Sequence, residues 1–435
     1  TGAAAYNVGG KTIHSLFKIG VQNAEKELSE REQNELGELL DVTIALFFDE
    51  RSMISQKLLG AAENNISKTA HGFGHSHEDW GGVPIIIIFG DDYQLPSIEA
   101  GAFDCFNASR ITKLGAQSNG KEQFKKLSQK VMYLQRSMRQ KKSEKIFLRL
   151  LKNVRMGKTT KQDIELLMSL HLGKLSKEQR EEVIQKATFI FANKEPMRIH
   201  NMEKLKEMQS EQNPVARISA VCTDATGTKY SGRSSHFKKH DLPFVTTICR
   251  GAKVQITGRN LEPSWGLYNG SKGTVVEIIY NKGENPLDGT LPQYVIVEIQ
   301  QYCGPSWVES HPKWVPIPIV QQKCDKGCCE MKFLPLTLAF ANTGHTFQGQ
   351  SVGKGHPIPA IVVQPGSRRF EGNCPGLFYV FLSRATDIGT EEDRSSSAIF
   401  FHTSDMNEDR VTDLLLGADG KEYQKVKKRK TWVKH

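Results

Sequence analysis

Two adjacent acids, Asp49 and Glu50, end a short apolar run over residues 44–48. A continuous apolar run of that length reads as a buried strand of a parallel sheet. Ligands of such sheets gather outside the carboxyl ends of the strands, so the pair stands where the chain leaves the core to meet one. The chemistry open to it is nucleoside-triphosphate hydrolysis: the first carboxylate holds Mg²⁺, and the second orients or deprotonates the attacking water. Solvated strand caps are the plainer alternative, since acidic residues prefer the surface. A second stretch weighs against that alternative. Residues 85–88 are four isoleucines, Gly90 breaks the run, and Asp91, Asp92, Tyr93 and Gln94 follow. Such β-branched residues predict a buried strand, and the glycine marks its end. Gln94 then stands within reach of a γ-phosphate or its water. The two strands together predict one nucleotide site on one sheet edge.

The elements that must position these residues read as α/β. Helices are predicted over residues 26–40, 55–66, 143–155, 160–170 and from 176 onward. The third places Ile146, Leu150 and Val154 on one face and closes at Gly157; the fifth opens on a Ser176–Gln179 capping box. Strands are predicted at 131–134 and 187–192, with a helix over 196–208 after the second. Residues 213–244 read as irregular. Short alternating strands at 253–257, 273–280 and 294–299, with turns at Asn269-Gly270 and Lys282-Gly283, then predict a small all-β module. The α/β pattern resumes at 334–341, with a strand at 359–363, a helix at 377–384 and a last strand at 398–402.

The bulk numbers fit an ordinary globular chain. The 435 residues are 38% hydrophobic and 24% charged, enough for a sizeable core, and the length predicts about three domains. A formal net charge of +10 favours a polyanionic partner. No run approaches the roughly 18 apolar residues of a membrane span, and no signal peptide is visible. Eight scattered cysteines read as reduced intracellular thiols rather than a disulfide framework.

Four further features are set aside at this stage. Residues 5–12, ending in Gly9-Gly10-Lys11-Thr12, fit a permissive phosphate-loop pattern but lack the buried strand that must precede one. His71, His75 and His77 lie close in sequence, yet no further ligand joins them, so a solvated loop is expected. Cys324, Cys328 and Cys329 lack a second cysteine pair at zinc-site spacing, so plain thiols are expected. The basic run over residues 425–430 suits a phosphate-binding or nuclear-import tail, and equally a solvated end.

In order and type the motifs resemble those of the Pif-type DNA helicases, of the RecD-like branch of helicase superfamily one, over nearly the whole chain. Residues 1–5 and 12–16 look like the family's segment after the phosphate loop, which touches single-stranded DNA. The segment Asp49-Glu50-Arg51-Ser52-Met53 looks like its Mg²⁺ motif, and residues 90–96 like its γ-phosphate sensor, with Gln94 sensing. Residues 134–140 look like the motif of a first arginine finger, Arg139. Residues 266–273 look like the inserted β-barrel, 345–351 like a motif coupling DNA to phosphate, and 379–386 like the last motif, with Arg384 as second finger. There are two departures. The family's phosphate loop would lie upstream of Thr1, and Thr346 stands where the family usually has lysine.

The resemblance implies two RecA-like domains sharing one ATP, the first truncated over residues 1–140 and the second split into 141–258 and 334–416. An inserted small β-barrel covers 259–333, and a basic tail 417–435. It implies ATP and Mg²⁺ as cofactors, with Asp49, Glu50, Gln94, Arg139 and Arg384 catalytic and Gln348 and Gly349 also at the nucleotide. It implies DNA contacts at Gly2, Thr12, His14, Asn193, His345, Thr346 and Ser351. The expected activity is 5′→3′ helicase action on single-stranded DNA and forks, in repair, recombination, replication or telomere maintenance. The expected chain is a monomer, in the nucleus or mitochondrion of a eukaryote or in the cytoplasm otherwise. The alternative is a nucleic-acid-binding remnant that no longer hydrolyses ATP. Without its phosphate loop, this polypeptide alone is expected to be inactive.

Overall fold

The structure is a computed structural model. It describes all residues except 1–4, 7, 21–23, 73–77, 92, 96–114, 225, 231–236, 238–241, 285–287, 325–326, 348, 367–375 and 403–435, and the side chains of 70–72, 345 and 346. The expectations for Gly2, Gln348, the His71–His77 loop and the basic tail therefore lie outside the described residues. The chain divides into two compact units. One comprises Lys11–Val183, Phe347–Lys354 and Pro365–His435; the other comprises Thr1–Gly10, Ile184–Thr346 and Gly355–Gln364. Among the described residues no helix is long and apolar enough to cross a membrane.

The Lys11 unit begins with a one-turn helix, Ile13–Leu16, capped by the Thr12 hydroxyl. Helix α1 (Glu30–Asp41) starts on a Ser29–Glu32 capping box, which satisfies two otherwise orphaned N–H groups. Strand β1 (Ala45–Phe48), helix α2 (Gln56–Gly72), strand β2 (Ile85–Ile88) and helix α3 (Ala116–Leu127) follow. β1 and β2 pair in parallel, from Ala45↔Ile85 to Phe48↔Ile88. Helices cover one face of this pair. Phe17, Leu36, Leu46, Phe48, Leu59 and Trp80 form the core there, with Phe48 stacked on Phe17 at 5.6 Å and edge-on to Trp80 at 5.3 Å.

The other face is open. Phe47 is 64% exposed, Ile85 48% and Ile87 39%. The prediction of fully buried strands is thus corrected: a β-branched run signals pairing, but burial of both faces needs a layer on each side, and the described residues cover only one of them. Residues 131–134 likewise form no strand, and Met132 and Leu134 are exposed. Propensity alone makes no strand without a partner.

Helices α4 (Lys145–Met156), α5 (Lys161–Ser169) and α6 (Lys177–Lys186) come next. Gly157 closes α4 in the left-handed conformation, and a capping box opens α5 at Thr160. The predicted Ser176–Gln179 box is present. The buried face of α4 is Phe147, Leu150 and Leu151, whereas Ile146 is exposed. The predicted stripe holds at Leu150 and misses at Ile146, because Ile146 and Phe147 are both apolar and only packing chooses between them.

The Ile184 unit is built on β3 (Thr188–Phe191) and the helix after it, α7 (Lys194–Met208), with Asn193 at its N-cap. The region predicted to be irregular holds β4 (Ala216–Ser219), β5 (Val221–Asp224) and β6 (Lys229–Tyr230). Polar composition hid them, since each is short and half exposed. Then come β7 (Val245–Ile248), β8 (Lys253–Ile256), β9 (Lys272–Ile279), β10 (Tyr294–Glu298), β11 (Trp314–Pro318), β12 (Val320–Lys323) and β13 (Cys329–Phe333). The stretch 334–341 splits into β14 (Leu336–Leu338) and the start of β15 (Ala341–Thr343), followed by β16 (Ile361–Gln364).

β14 pairs antiparallel with β8, while β15 and β16 flank β3 in parallel. The all-β part is a five-stranded antiparallel sheet, β11-β10-β9-β8-β14, a four-stranded sheet, β12-β13-β5-β6, and the pair β4-β7. Val254, Ile256, Val275, Val295, Val297 and Ile317 fill the first sheet's core. The chain then returns to the Lys11 unit with α8 (Leu377–Arg384) and β17 (Ile399–Phe401). α8 coincides with its prediction, and the fold class is the expected α/β with parallel strands.

Candidate nucleotide and nucleic-acid sites

Asp49 and Glu50 follow directly on the carboxyl end of β1. Asp49 Oδ1 accepts the Glu50 N–H at 2.8 Å, and its other oxygen has no protein partner among the described residues. Glu50 sits in the left-handed region, φ 54° and ψ 51°, which costs a non-glycine residue about 1–2 kcal/mol. Such strain aims a side chain that a relaxed backbone would point elsewhere. The two strand exits stay joined beyond the sheet: Phe89 N–H donates to Phe48 O at 2.7 Å, and Arg51 N–H to Phe89 O at 2.8 Å. A Cβ on Gly90 would collide with Arg51, so this crossing admits only glycine.

The turn after Gly90 presents Gln94. Its Oε1 accepts from Arg384 Nη2 at 3.1 Å, and its Nε2 donates to Asp91 Oδ2 at 3.5 Å. Asp91 is the organiser. It accepts from Arg155 Nη2 at 2.9 Å, from the Tyr93 N–H at 3.1 Å and from the Tyr379 hydroxyl at 3.4 Å. Arg155 also lies over the Tyr93 ring, 4.7 Å from its centre. Burial first, then the Asp91 charge, pushes the Tyr379 phenol up to about 12, so it remains a donor. Gly376 starts α8 against the backbone carbonyls of Tyr93 and Gln94, where a Cβ would not fit.

Arg384, the last residue of α8, is 1% exposed. Its Nη2 serves Gln94 and Ser383 Oγ; its Nε and Nη1 have no partner among the described residues. Arg139 donates from Nε to Ser351 Oγ and from Nη1 to the Ser383 carbonyl, both at 2.9 Å. Gln140 donates to the Ala385 carbonyl at 2.7 Å. The two residues thus cap the carboxyl end of α8, where a cation also suits the helix dipole.

Burial, and then the neighbouring Arg139, pushes the Arg384 guanidinium down to about 10; Glu50 opposes that shift. Burial lowers Arg139 as well, again against Glu50. Neither arginine has an ion-pair partner among the described residues. Buried cations without counter-ions are costly. The arrangement is therefore built to receive an anion that presents several oxygens.

The Ile184 unit holds a groove of about 1200 Å³. Lys194 and Arg198 of α7, Thr246 and Thr247 of β7, Gln255 of β8, Asn269, Thr337 and Asn342 line it. Asn201 pins β15 beside it, donating to Ala341 O at 3.1 Å and accepting from Ala341 N–H at 2.8 Å. Hydroxyls, amides and a helix N-terminus with a lysine are the groups that hold phosphate and sugar without reading sequence.

The family model for PIF1-like helicases matches residues 1–165. The ATP-dependent DNA helicase PIF1 of Danio rerio is 27% identical over 394 residues, covering 89% of this chain and 52% of that protein.

The chain is similar to the Pif1-type helicases. It spans about half the length of the vertebrate relatives it matches, 52% in each of two. Among solved structures, Pif1 helicase from Candida albicans has a TM-score of 0.64 at 20% identity, with 100% of this chain and 87% of that chain covered. Pif1 from Bacteroides in complex with ADP-AlF3 and ssDNA has a TM-score of 0.60 at 21% identity, covering 94% and 82%; these likenesses bear on the fold.

Against this Pif1-type frame, Asp49, Glu50, Gln94, Arg139, Arg384 and Ser351 all belong to the Lys11 unit, as do Thr12, His14 and Gly349. Gln94 meets Arg384 directly, and Ser351 accepts from Arg139. Asn193, His345 and Thr346 belong to the Ile184 unit, Asn193 immediately before Lys194 of the groove. Sequence reasoning missed Asp91, Arg155 and Tyr379. Asp91, three residues before Gln94, and Tyr379, which opens the 379–386 motif, were visible but given no role; Arg155 carried no local signal. It also missed the groove's threonines, which come from four separate strands and loops.

Proposed function

We propose that this chain belongs to an ATP-dependent DNA helicase that tracks single-stranded DNA 5′→3′. One observation carries the reading. Arg384 is buried with two donor nitrogens unmatched among the described residues, near the half-buried Arg139 guanidinium and in contact with Gln94. The phosphate oxygens of a nucleoside triphosphate fit those donors, and the unengaged oxygen of Asp49 is the natural holder of Mg²⁺. Bound Mg²⁺ neutralises phosphate charge. Glu50 takes or orients the proton of the attacking water, Gln94 senses the γ-phosphate, and Arg139 and Arg384 offset the charge that develops. Arginine fingers of this kind are worth about 10³–10⁵ in rate.

The names of the relatives support the reading: an ATP-dependent DNA helicase, and a Pif1 structure holding ADP-AlF3 and ssDNA. The groove of the Ile184 unit is the proposed seat of the strand, held through phosphate and base faces with little sequence preference. Repair, recombination, replication or telomere maintenance are the duties such a motor serves, as a monomer, in the nucleus or mitochondrion of a eukaryote or else in the cytoplasm.

A second reading is a remnant that binds nucleic acid without turnover. Gly9 lies in a turn that follows helical residues Ala5 and Tyr6 rather than a strand, so Gly10-Lys11-Thr12 lacks the setting of a phosphate loop. The polypeptide of residues 1–435 taken alone is accordingly proposed to be inactive. One experiment separates the readings: unwinding of 5′- and 3′-tailed duplexes, with ATP turnover, by the full gene product, its Glu50→Gln variant and residues 1–435. The motor reading expects 5′-tailed unwinding by the full product, ATP binding without unwinding by the variant, and negligible turnover by the shorter chain. Unwinding at normal rate by Glu50→Gln would remove Glu50 from its role, and no turnover by the full product would leave the remnant.

A further inference from the structure

The hairpin of β12 and β13 brings together the three cysteines whose spacing looked wrong for a metal. Cys324 stands at the end of β12 and Cys329 opens β13; Cys324 N–H donates to Cys329 O at 2.9 Å, and Gly327 N–H folds back to Cys324 O at 2.9 Å. This tight turn aims Cys328 at the same point. Cys324 and Cys328 are 3.5 Å apart at sulfur, and all three sulfurs lie within 4.8 Å of one another. Two thiolates each about 2.3 Å from a tetrahedral metal stand about 3.8 Å apart. The spacing is therefore that of ligands around one ion. A zinc-finger search by sequence expects two separated pairs, whereas this hairpin supplies three sulfurs from one turn.

The surroundings suit an ion bound from one side. Cys324 and Cys329 are buried, at 4% and 6% exposure, in a core with Phe237, Met331 and Phe333, while Cys328 faces solvent. The described cysteines form no disulfide. Cys222 of β5 shares the core.

The geometry points to a soft-metal site of the zinc class at Cys324, Cys328 and Cys329, which fastens the turn of the β12–β13 hairpin to its sheet. Three thiols bind one Zn²⁺ and release three protons, so affinity rises with pH. The converging group holds three sulfurs and not Cys222, so water from the solvent side of Cys328 completes the coordination.

The test uses the reduced full chain without oxygen. After exposure to zinc and gel filtration, one zinc per chain is expected. Titration with Co²⁺ is expected to give thiolate-to-cobalt charge transfer together with tetrahedral d–d bands. Cys328→Ser, at an exposed position, should fold normally by circular dichroism and bind cobalt more than about 100-fold weaker, beyond what loss of an outer-shell partner costs. X-ray absorption counting three sulfurs supports the site. A chain with all three thiols reduced that retains no zinc and gives no tetrahedral cobalt spectrum overturns it. So does Cys328→Ser with unchanged affinity, and so does a disulfide joining two of the three.

Discussion

At the scale of single residues, Arg384 sets stability against chemistry. It is a buried cation with two unmatched donors, and well-packed apolar replacements of buried charges often stabilise by about 1–4 kcal/mol. Arg384→Met should therefore raise the denaturation midpoint of the unliganded chain. In the full gene product the same change should cost about 10³-fold or more in ATP turnover. Urea denaturation and steady-state turnover, measured side by side, check both halves; a variant less stable than the parent would mean that the guanidinium is already satisfied without a ligand. Asp49, Glu50 and Gln94 were legible beforehand because each follows an apolar run, and strand ends expose what comes after them. The burial of Arg384 was not legible. Its sequence neighbours, Ser383 and Ala385, say nothing of the Asp91 cluster that meets it from nearly 300 residues away.

At the scale of elements, α2 and α3 cross so closely that glycines carry the contact. A Cβ on Gly60 would run into the Ala116 carbonyl and Gly120 N, and one on Gly120 into the Gln56 carbonyl. Intrinsic propensity predicts that Gly→Ala within a helix gains about 1 kcal/mol. Here the backbones cannot separate without disturbing the core, so Gly60→Ala should instead destabilise by about 1–3 kcal/mol. Thermal unfolding of that variant decides the sign.

Such contacts are invisible to periodicity, which treats a glycine in a helix only as a weak spot. The same limit explains the other misses. Apolar alternation predicted β8, β9 and β10, where one face is core and the other is not. It failed at residues 131–134, where the pattern is present and the partner strand is not, and at 334–341, where one apolar run serves two sheets. It failed again at β4 to β6, whose polar faces mask the pairing.

At the scale of the whole molecule, the chain carries a net charge of +10, and the groove of the Ile184 unit is where it is proposed to bear on DNA. Binding of single-stranded DNA should weaken as salt rises, since each phosphate contact releases counter-ions. Lys194→Ala should lower affinity uniformly across sequences and reduce the slope of log K against log salt by about one. Fluorescence anisotropy at several salt concentrations measures this, and a slope equal to the parent's would place Lys194 off the strand's path. The uncovered side of the β1–β2 ribbon has a different outcome, felt in the tube rather than in the cell. Phe47, Ile85, Ile87 and Phe89 stand there side by side in water. Copies of the chain are expected to hide that ledge by laying it on one another. How concentrated a stock can be kept before it clouds should then be set by four greasy side chains working against the mutual repulsion of a cationic surface, with added salt tipping that contest toward precipitation.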